Sequence, residues 1–356
     1  MSEGVAYVLP LRWTEPGRIE ELADYLGGIA GEVEEILVVD GSPEPLFGRH
    51  AEALRGVARH LPPHPDLSFR MGKVNGVLTG VRECSCERVV LADDDVRYEG
   101  AALRRAAALL DAADLVRPQN YFDELPWHAR WDTARTLLNR VFTGDPEFPV
   151  GDFPGTLAVR RSAFLATGGY DGDVLFENLE LMRTIRAAGG TVLTPLDLYV
   201  ARRPPSTAHF RSQRVRQAYD DFAIPARIGF FAAALPLALA QAAAIPRRPA
   251  ASRNLAAAAL ALILVAEAGR RRAGGASRFP AGSSLLAPAW VIERSASAWL
   301  ALAARLRGGV PYGETRLSRP ATPSRILRRR YYASRSGGSA GTGPGSPLSA
   351  RNPIAL

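Results

Sequence analysis

The stretch Arg88-Val89-Val90-Leu91-Ala92-Asp93-Asp94-Asp95 decides the fold class. A short run rich in valine and leucine reads as a buried strand, and the three carboxylates that end it read as a loop facing a ligand. Toward the N-terminus the pattern repeats. Residues 5–9 read as a strand, 18–29 as a helix, and 35–39 as a second strand that runs into Asp40-Gly41-Ser42-Pro43. The chain around Leu54 reads as helical, 67–69 as a short strand, and Lys73-Val74-Asn75-Gly76 as a loop leading into a further helix. Toward the C-terminus, 100–112 reads as a helix, 114–117 as a strand, 127–142 as an amphipathic helix and 151–155 as a loop. A strand at 156–159, a helix at 178–188 and a polar helix carrying Gln213 and Arg216 follow. Strands alternating with helices predict an α/β domain whose mostly parallel sheet is flanked by helices. In such sheets ligands sit beyond the carboxyl ends of the strands, where Asp40 and Asp93–Asp95 all fall. No internal repeat is visible.

Charge is divided along the chain. The 44 basic and 36 acidic residues leave +8, yet positions 226–356 hold nineteen arginines, no lysine and three acids, a net of +16. The first 225 residues therefore carry −8. A uniformly basic nucleic-acid binder should not look like this, so no nucleic-acid partner is expected. The positive half also contains the apolar runs 228–245, 255–266 and 285–306, the last interrupted by Glu293 and Arg294. Arginine beside apolar segments predicts one or two membrane spans with an interfacial helix, at the anionic cytoplasmic leaflet. A set of buried soluble helices would give similar composition. The first apolar run, 5–11, is short, contains Pro10 and lacks a basic leader, so no signal peptide is expected and the N-terminal domain is placed on the cytoplasmic side. Cys84 and Cys86 are too few for a disulfide framework or a four-ligand zinc site and read as reduced thiols. The Gly/Ser/Pro-rich tail after Ser334 reads as disordered. The expected divisions are 1–225, 226–310 and 311–356.

Side chains alternate in direction along a strand, so Asp93 and Asp95 can face one way and share a divalent cation; hard carboxylate oxygens suit Mg²⁺ or Mn²⁺, with phosphates and water completing the shell. A solvated acidic turn would read the same in isolation. Lys73 is the only lysine in the chain. Its ammonium can meet a diphosphate, although a surface lysine is the plainer reading. Asp40 ends a strand and can accept hydrogen bonds from a base or ribose; as an isolated Asp-Gly it would be a turn.

Val38-Val39-Asp40-Gly41-Ser42, Gly72-Lys73-Val74-Asn75-Gly76 and Leu91-Ala92-Asp93-Asp94-Asp95 together resemble the successive donor-site motifs of family 2 glycosyltransferases with the GT-A fold. The resemblance runs on through Gly168-Gly169-Tyr170-Asp171 and Glu177-Asn178-Leu179-Glu180-Leu181, with Arg183, Arg186 and Gly189. It ends in Gln213-Arg214-Val215-Arg216-Gln217, similar to the Gln-x-x-Arg-Trp motif of that family, and covers residues 4–222. It implies a metal-dependent, inverting hexosyltransferase using a nucleotide diphosphate-sugar. Asp40 would contact the base, Lys73 the diphosphate or base, and Asp93 the ribose or phosphate side. Asp95 would ligate the metal, Asp94 would fill a variable position, and Gln213 and Arg216 would lie beside the pyrophosphate. Gln217 stands where the family often has Trp. The family's usual catalytic aspartate aligns with Asn178, which cannot take a proton, so Glu177 or Glu180 becomes the candidate base, with Asp152 a weaker one. His209, near Gln213, is given no role. The trailing apolar helices point to a membrane-held acceptor, a lipid alcohol or a polyprenyl phosphate. Two other readings remain, a non-catalytic nucleotide-sugar-binding membrane scaffold and a nucleotidyltransferase. The latter lacks an N-terminal Gly-rich triphosphate loop.

Overall fold

In a computed structural model the chain is described over residues 2–144, 155–313 and 315–336. Asp152 and most of the tail after Ser334 lie outside the described residues. The contacts divide the chain into two units, each made of separated segments. The first comprises Met1–Pro118, Phe153–Ala201 and Ala321–Leu356, and the second Gln119–Asp152 and Arg202–Pro320. The boundary expected near 225 thus falls inside the second unit, and the chain returns to the first after leaving it.

The first unit is built on a mostly parallel sheet of seven strands. Strands β1 (Ser2–Leu11), β2 (Glu35–Asp40), β3 (Arg59–Leu61) and β4 (Cys86–Ala92) lie in the order β3-β2-β1-β4, all parallel. Thr156–Arg160 pairs antiparallel with β4 and with Leu115–Val116, and Val192–Leu193 closes the edge. The expected fold class is observed. Ala6, Tyr7, Val8 and Leu9 are all 0% exposed, because β1 is central and covered on both faces. In β1 and β2 the register sets Leu11 opposite Asp40, and in β1 and β4 it sets Val8 opposite Leu91, so the carboxyl ends of the three strands share one edge.

Two readings change. The short strand expected at 67–69 is absent, and its place in the sheet is taken by β3, whose Arg-His-Leu sequence carries no apolar alternation. After helices α1 (Ile19–Ile29) and α2 (Leu46–Ala53), Lys73 lies in the first turn of helix α3 (Gly72–Glu83) and not in a loop. That helix packs tightly on β1, since a Cβ at Gly76 would stand 2.7 Å from Pro10 Cβ, and one at Gly80 would stand 2.3 Å from Val8 Cγ1. Glycine four residues apart gives α3 a flat face, and its first turn is drawn over the carboxyl edge of the sheet.

The second unit is helical. Trp127–Phe142, Thr207–Asp220, Pro225–Ala244, Ala250–Arg271 and Ala287–Leu306 are its main helices. Ala134, Phe231, Trp290, Val291 and Ala298 form a small core among them. Arg294 and Asp221, both 3% exposed at the side chain, pair at 2.8 Å, and Arg227 reaches Asp221 at 3.0 Å. Arg214 pairs with Asp132 at 3.2 Å and with Glu293. The charges inside the third apolar run are therefore matched by helices of the same unit. Among the described residues two helices, Pro225–Ala244 and Ala250–Ser277, are long and apolar enough to cross a membrane, and only 6% and 11% of their apolar windows are buried.

Candidate functional site

The carboxyl edge of the first unit gathers the charged residues. Lys73 Nζ lies 2.6 Å from Asp93 Oδ1 and 2.6 Å from Glu177 Oε1, with side-chain exposures of 22%, 25% and 12% for Lys73, Asp93 and Glu177. Residues 104 positions apart meet because loops hold them. Asn75 receives the Phe69 N–H at 3.1 Å and donates to its carbonyl at 3.0 Å, which folds residues 69–71 against α3. Met71 N–H donates to the Gly172 carbonyl at 2.9 Å, and a Cβ at Gly172 would be 2.5 Å from Phe69 Cβ. The 169–173 loop is thereby laid against the start of α3, and the helix Glu177–Ala187 begins beside Lys73.

Burial opposes the charge on Lys73, but the Asp93 and Glu177 carboxylates outweigh it and hold the ammonium well above its ordinary value. For Asp93, burial is the largest influence and raises the carboxyl. Lys73 opposes the rise, while Asp95 and Glu177 add to it. Three acids and one ammonium leave a negative edge that a divalent cation would offset, and Asp93 and Asp95 are oxygen donors of the kind Mg²⁺ or Mn²⁺ prefers. Gly155 makes room there, since its carbonyl accepts the Asp93 N–H at 2.8 Å and a Cβ on it would stand 2.6 Å from Asp93 Oδ2. Among the described residues no three acidic, histidine or cysteine side chains converge on one point, so Asp93 and Asp95 would offer a divalent cation two carboxylates, with phosphates and water left to complete its shell.

Asp94 is more than a bystander. Its Oδ2 accepts the Trp13 indole N–H at 2.6 Å, and the Trp13 backbone N–H donates to Ser42 Oγ at 2.8 Å. This tie between the ends of β1, β2 and β4 was not legible, because a tryptophan 81 residues away announces nothing about its partner.

Asp40 differs from the expectation. It is 1% exposed, and its Oδ2 accepts from His50 Nδ1 at 2.7 Å and His60 Nε2 at 3.0 Å, while Oδ1 accepts the Ser42 N–H at 2.8 Å. Burial would raise this carboxyl, but the hydrogen bonds from His60, Ser42 and His50 win and hold it at about 2. Its acceptors are spent inside the protein, so a base contact is not available to it in this conformation.

The two candidate bases also separate. Glu180, 0% exposed, turns inward, where its Oε2 accepts the Thr322 backbone N–H at 2.6 Å. Burial raises its carboxyl above the ordinary range. It is a structural acid, and Glu177 alone of the pair reaches the carboxylate cluster. Gln213 and Arg216 belong to the second unit. They share one face of the helix Thr207–Asp220, with Arg216 Nη1 donating to Gln213 Oε1 at 3.4 Å and its guanidinium lying 4.9 Å from the Tyr312 ring centroid. Gln217 accepts from buried Arg214 at 3.0 Å on another face.

The first unit therefore defines a class, an α/β domain with an acidic, lysine-bridged site beyond the carboxyl ends of parallel strands. No family model matches the chain, and no curated protein matches it. Among solved structures it is similar to a mannosyltransferase from Pyrobaculum calidifontis in complex with GDP-mannose and Mn²⁺. That likeness has 19% identity over 84% of this chain and 88% of the other, with a TM-score of 0.46. It is also similar to glucosyl-3-phosphoglycerate synthase from Mycobacterium tuberculosis in complex with Mn²⁺, uridine diphosphate and phosphoglyceric acid. Here identity is 19% over 60% and 77% of the two chains, with a TM-score of 0.41. Both likenesses are distant, and the function proposed next rests on this chain's own residues.

Proposed function

We propose that this chain is an inverting glycosyltransferase that moves a hexosyl group from a nucleotide diphosphate-sugar to a lipid or polyprenyl-phosphate acceptor, held at the cytoplasmic face of a membrane. The observation that carries the reading is the Lys73 ammonium, 2.6 Å from both Asp93 and Glu177 at the carboxyl edge of the parallel sheet. One cluster thus holds a cation for a diphosphate, a carboxylate for a metal and a second carboxylate, Glu177, as the proton acceptor.

Asp95, with Asp93, would hold Mg²⁺ or Mn²⁺, and that ion would supply charge neutralisation for the departing diphosphate. Lys73 binds the diphosphate as a point charge. Glu177, in the first turn of its helix, receives the proton of the acceptor hydroxyl as that oxygen bonds to the anomeric carbon. The bond from that carbon to the diphosphate breaks, its electron pair leaves on phosphate, and one displacement inverts the centre. Gln213 and Arg216 are assigned to the diphosphate through the resemblance of their motif. Membrane attachment is supported by the two long apolar helices, most of whose surface is uncovered, and by the +16 of residues 226–356.

The test is donor hydrolysis and donor binding by purified full-length protein across a panel of nucleotide sugars, with and without Mn²⁺. Asp95→Asn is expected to abolish metal-dependent donor binding. Glu177→Gln is expected to keep binding and to lower turnover roughly a hundred- to ten-thousand-fold, the usual contribution of a general base. Near-normal turnover in Asp95→Asn would sink the metal assignment. Full turnover in Glu177→Gln would remove the base and favour a phosphate acceptor, which is already ionised.

A further inference from the structure

The segment after the second unit ends in the helix Ser324–Ser336, whose sequence begins Ser-Arg-Ile-Leu-Arg-Arg-Arg. It belongs to the first unit, and that unit fixes it firmly. Thr322, 4% exposed, gives its N–H to Glu180 Oε2 at 2.6 Å, and its carbonyl accepts from Arg183 Nη1 at 3.1 Å. One turn further into the helix, Leu327 is 4% exposed, and the Tyr331 hydroxyl donates to the Thr167 carbonyl at 2.9 Å. Leu327 and Tyr331, four apart, mark the docked face. Arg325, Arg328 and Arg329 stand at i, i+3 and i+4 on the opposite face, all exposed, with Ile326 40% exposed beside them. Among the described residues no ion pair is formed by these three arginines.

We propose that this face binds the anionic phosphate headgroups of a lipid surface, giving the first unit a membrane contact of its own. Three guanidiniums on one helix face, with no carboxylate to neutralise them, form a site for phosphate groups that are laterally mobile and can gather beneath it. An exposed isoleucine among them suits an interface that is apolar below its charged layer. The helix is already ordered by its docked face, so binding does not have to fold it. The choice of a lipid surface over another polyanion rests on the membrane attachment proposed above, on the same chain's exposed Leu237, Leu239, Leu260 and Leu264. It does not rest on the transfer reaction.

The experiment uses the full chain reconstituted into nanodiscs of phosphatidylcholine, with or without phosphatidylglycerol. A fluorophore introduced through Ile326→Cys reports contact with a headgroup-linked quencher. Labelling at this site is selective, because Cys84 and Cys86 are buried and burial pushes their thiols up to about 11 and about 12. Quenching is expected only with phosphatidylglycerol. It should fade as salt rises and weaken about fivefold for each of Arg325→Gln, Arg328→Gln and Arg329→Gln. Equal quenching in both lipids, or none in either, overturns the proposal. So does binding of added RNA to this face, read from the Ile326→Cys fluorophore, with no headgroup contact in either lipid, which would make the face a nucleic-acid surface. Chain that does not enter nanodiscs is floated with vesicles of the same two compositions. Binding without preference for the anionic one overturns the proposal equally, and failure to insert then counts separately against the membrane reading.

Discussion

Asp40 shows how far one residue can depart from its motif. Its carboxylate is surrounded by two imidazoles and a backbone N–H and is held at about 2. A carboxyl whose folded value lies below the ordinary 3.8 stabilises the fold at pH values above about 4, and that stability is lost as pH falls toward 2. The loss should amount to about 2 kcal/mol. Urea unfolding of wild type and Asp40→Asn at a series of acidic pH values checks this. The wild-type midpoint should fall more steeply in that window, and parallel curves would show that Asp40 contributes nothing there. The partners were beyond sequence reading, since His50 and His60 lie ten and twenty residues away and no periodicity links them to the end of β2. The Asp93–Asp95 run was legible for the opposite reason, since an apolar strand feeding directly into three acids places them at a sheet edge wherever the rest of the chain goes. Glu177 and Glu180 could not be told apart beforehand. Both begin one helix, and only the position of Thr322 decides which faces inward.

At the scale of elements, the helix Glu177–Ala187 and the segment at Thr322 act as a pair. Glu180 accepts the Thr322 N–H in a site with no exposure at all. Replacing it by alanine leaves that N–H buried and a void beside it, which should cost about 1–3 kcal/mol. Glu180→Gln keeps an acceptor oxygen and, because burial already favours the neutral acid, should leave stability and turnover close to wild type. Denaturant unfolding and turnover of the two variants separate a structural acid from a catalytic one, because a base would be lost in both. Elements were read well where period and composition agreed, as for Glu35–Asp40 and Trp127–Phe142. They were read poorly at β3, where three residues without an apolar stripe are held as a strand by pairing to β2 alone.

At the scale of the whole molecule, the second unit interrupts the first, and the chain comes back at Ala321. Composition suggested a simple boundary near 225, because hydropathy changes there, whereas the return is carried by a few polar contacts around Thr322 that leave no mark on composition. A chain ended after Phe222 loses both apolar helices and should leave the membrane fraction. It also loses Thr322, Leu327 and Tyr331, so the helix Glu177–Ala187 should exchange its amide hydrogens faster than in the full-length protein. Hydrogen exchange on the two proteins tests the point. Unchanged protection of that helix would mean that the returning segment contributes nothing to it.

The return at Ala321 also has a consequence for biosynthesis. A ribosome makes β1 through the helix Glu177–Ala187 first, yet the piece that closes over Glu180 emerges only after both long apolar helices have been delivered. Until then the nascent first unit carries an open seam, with a buried acid lacking its partner and apolar surface around Leu327's seat uncovered. Under the membrane attachment proposed above, the site's supporting helix would be completed only after those helices have inserted. A chain cut short before Thr322 would remain unsealed, and proteases and chaperones would meet it in that state.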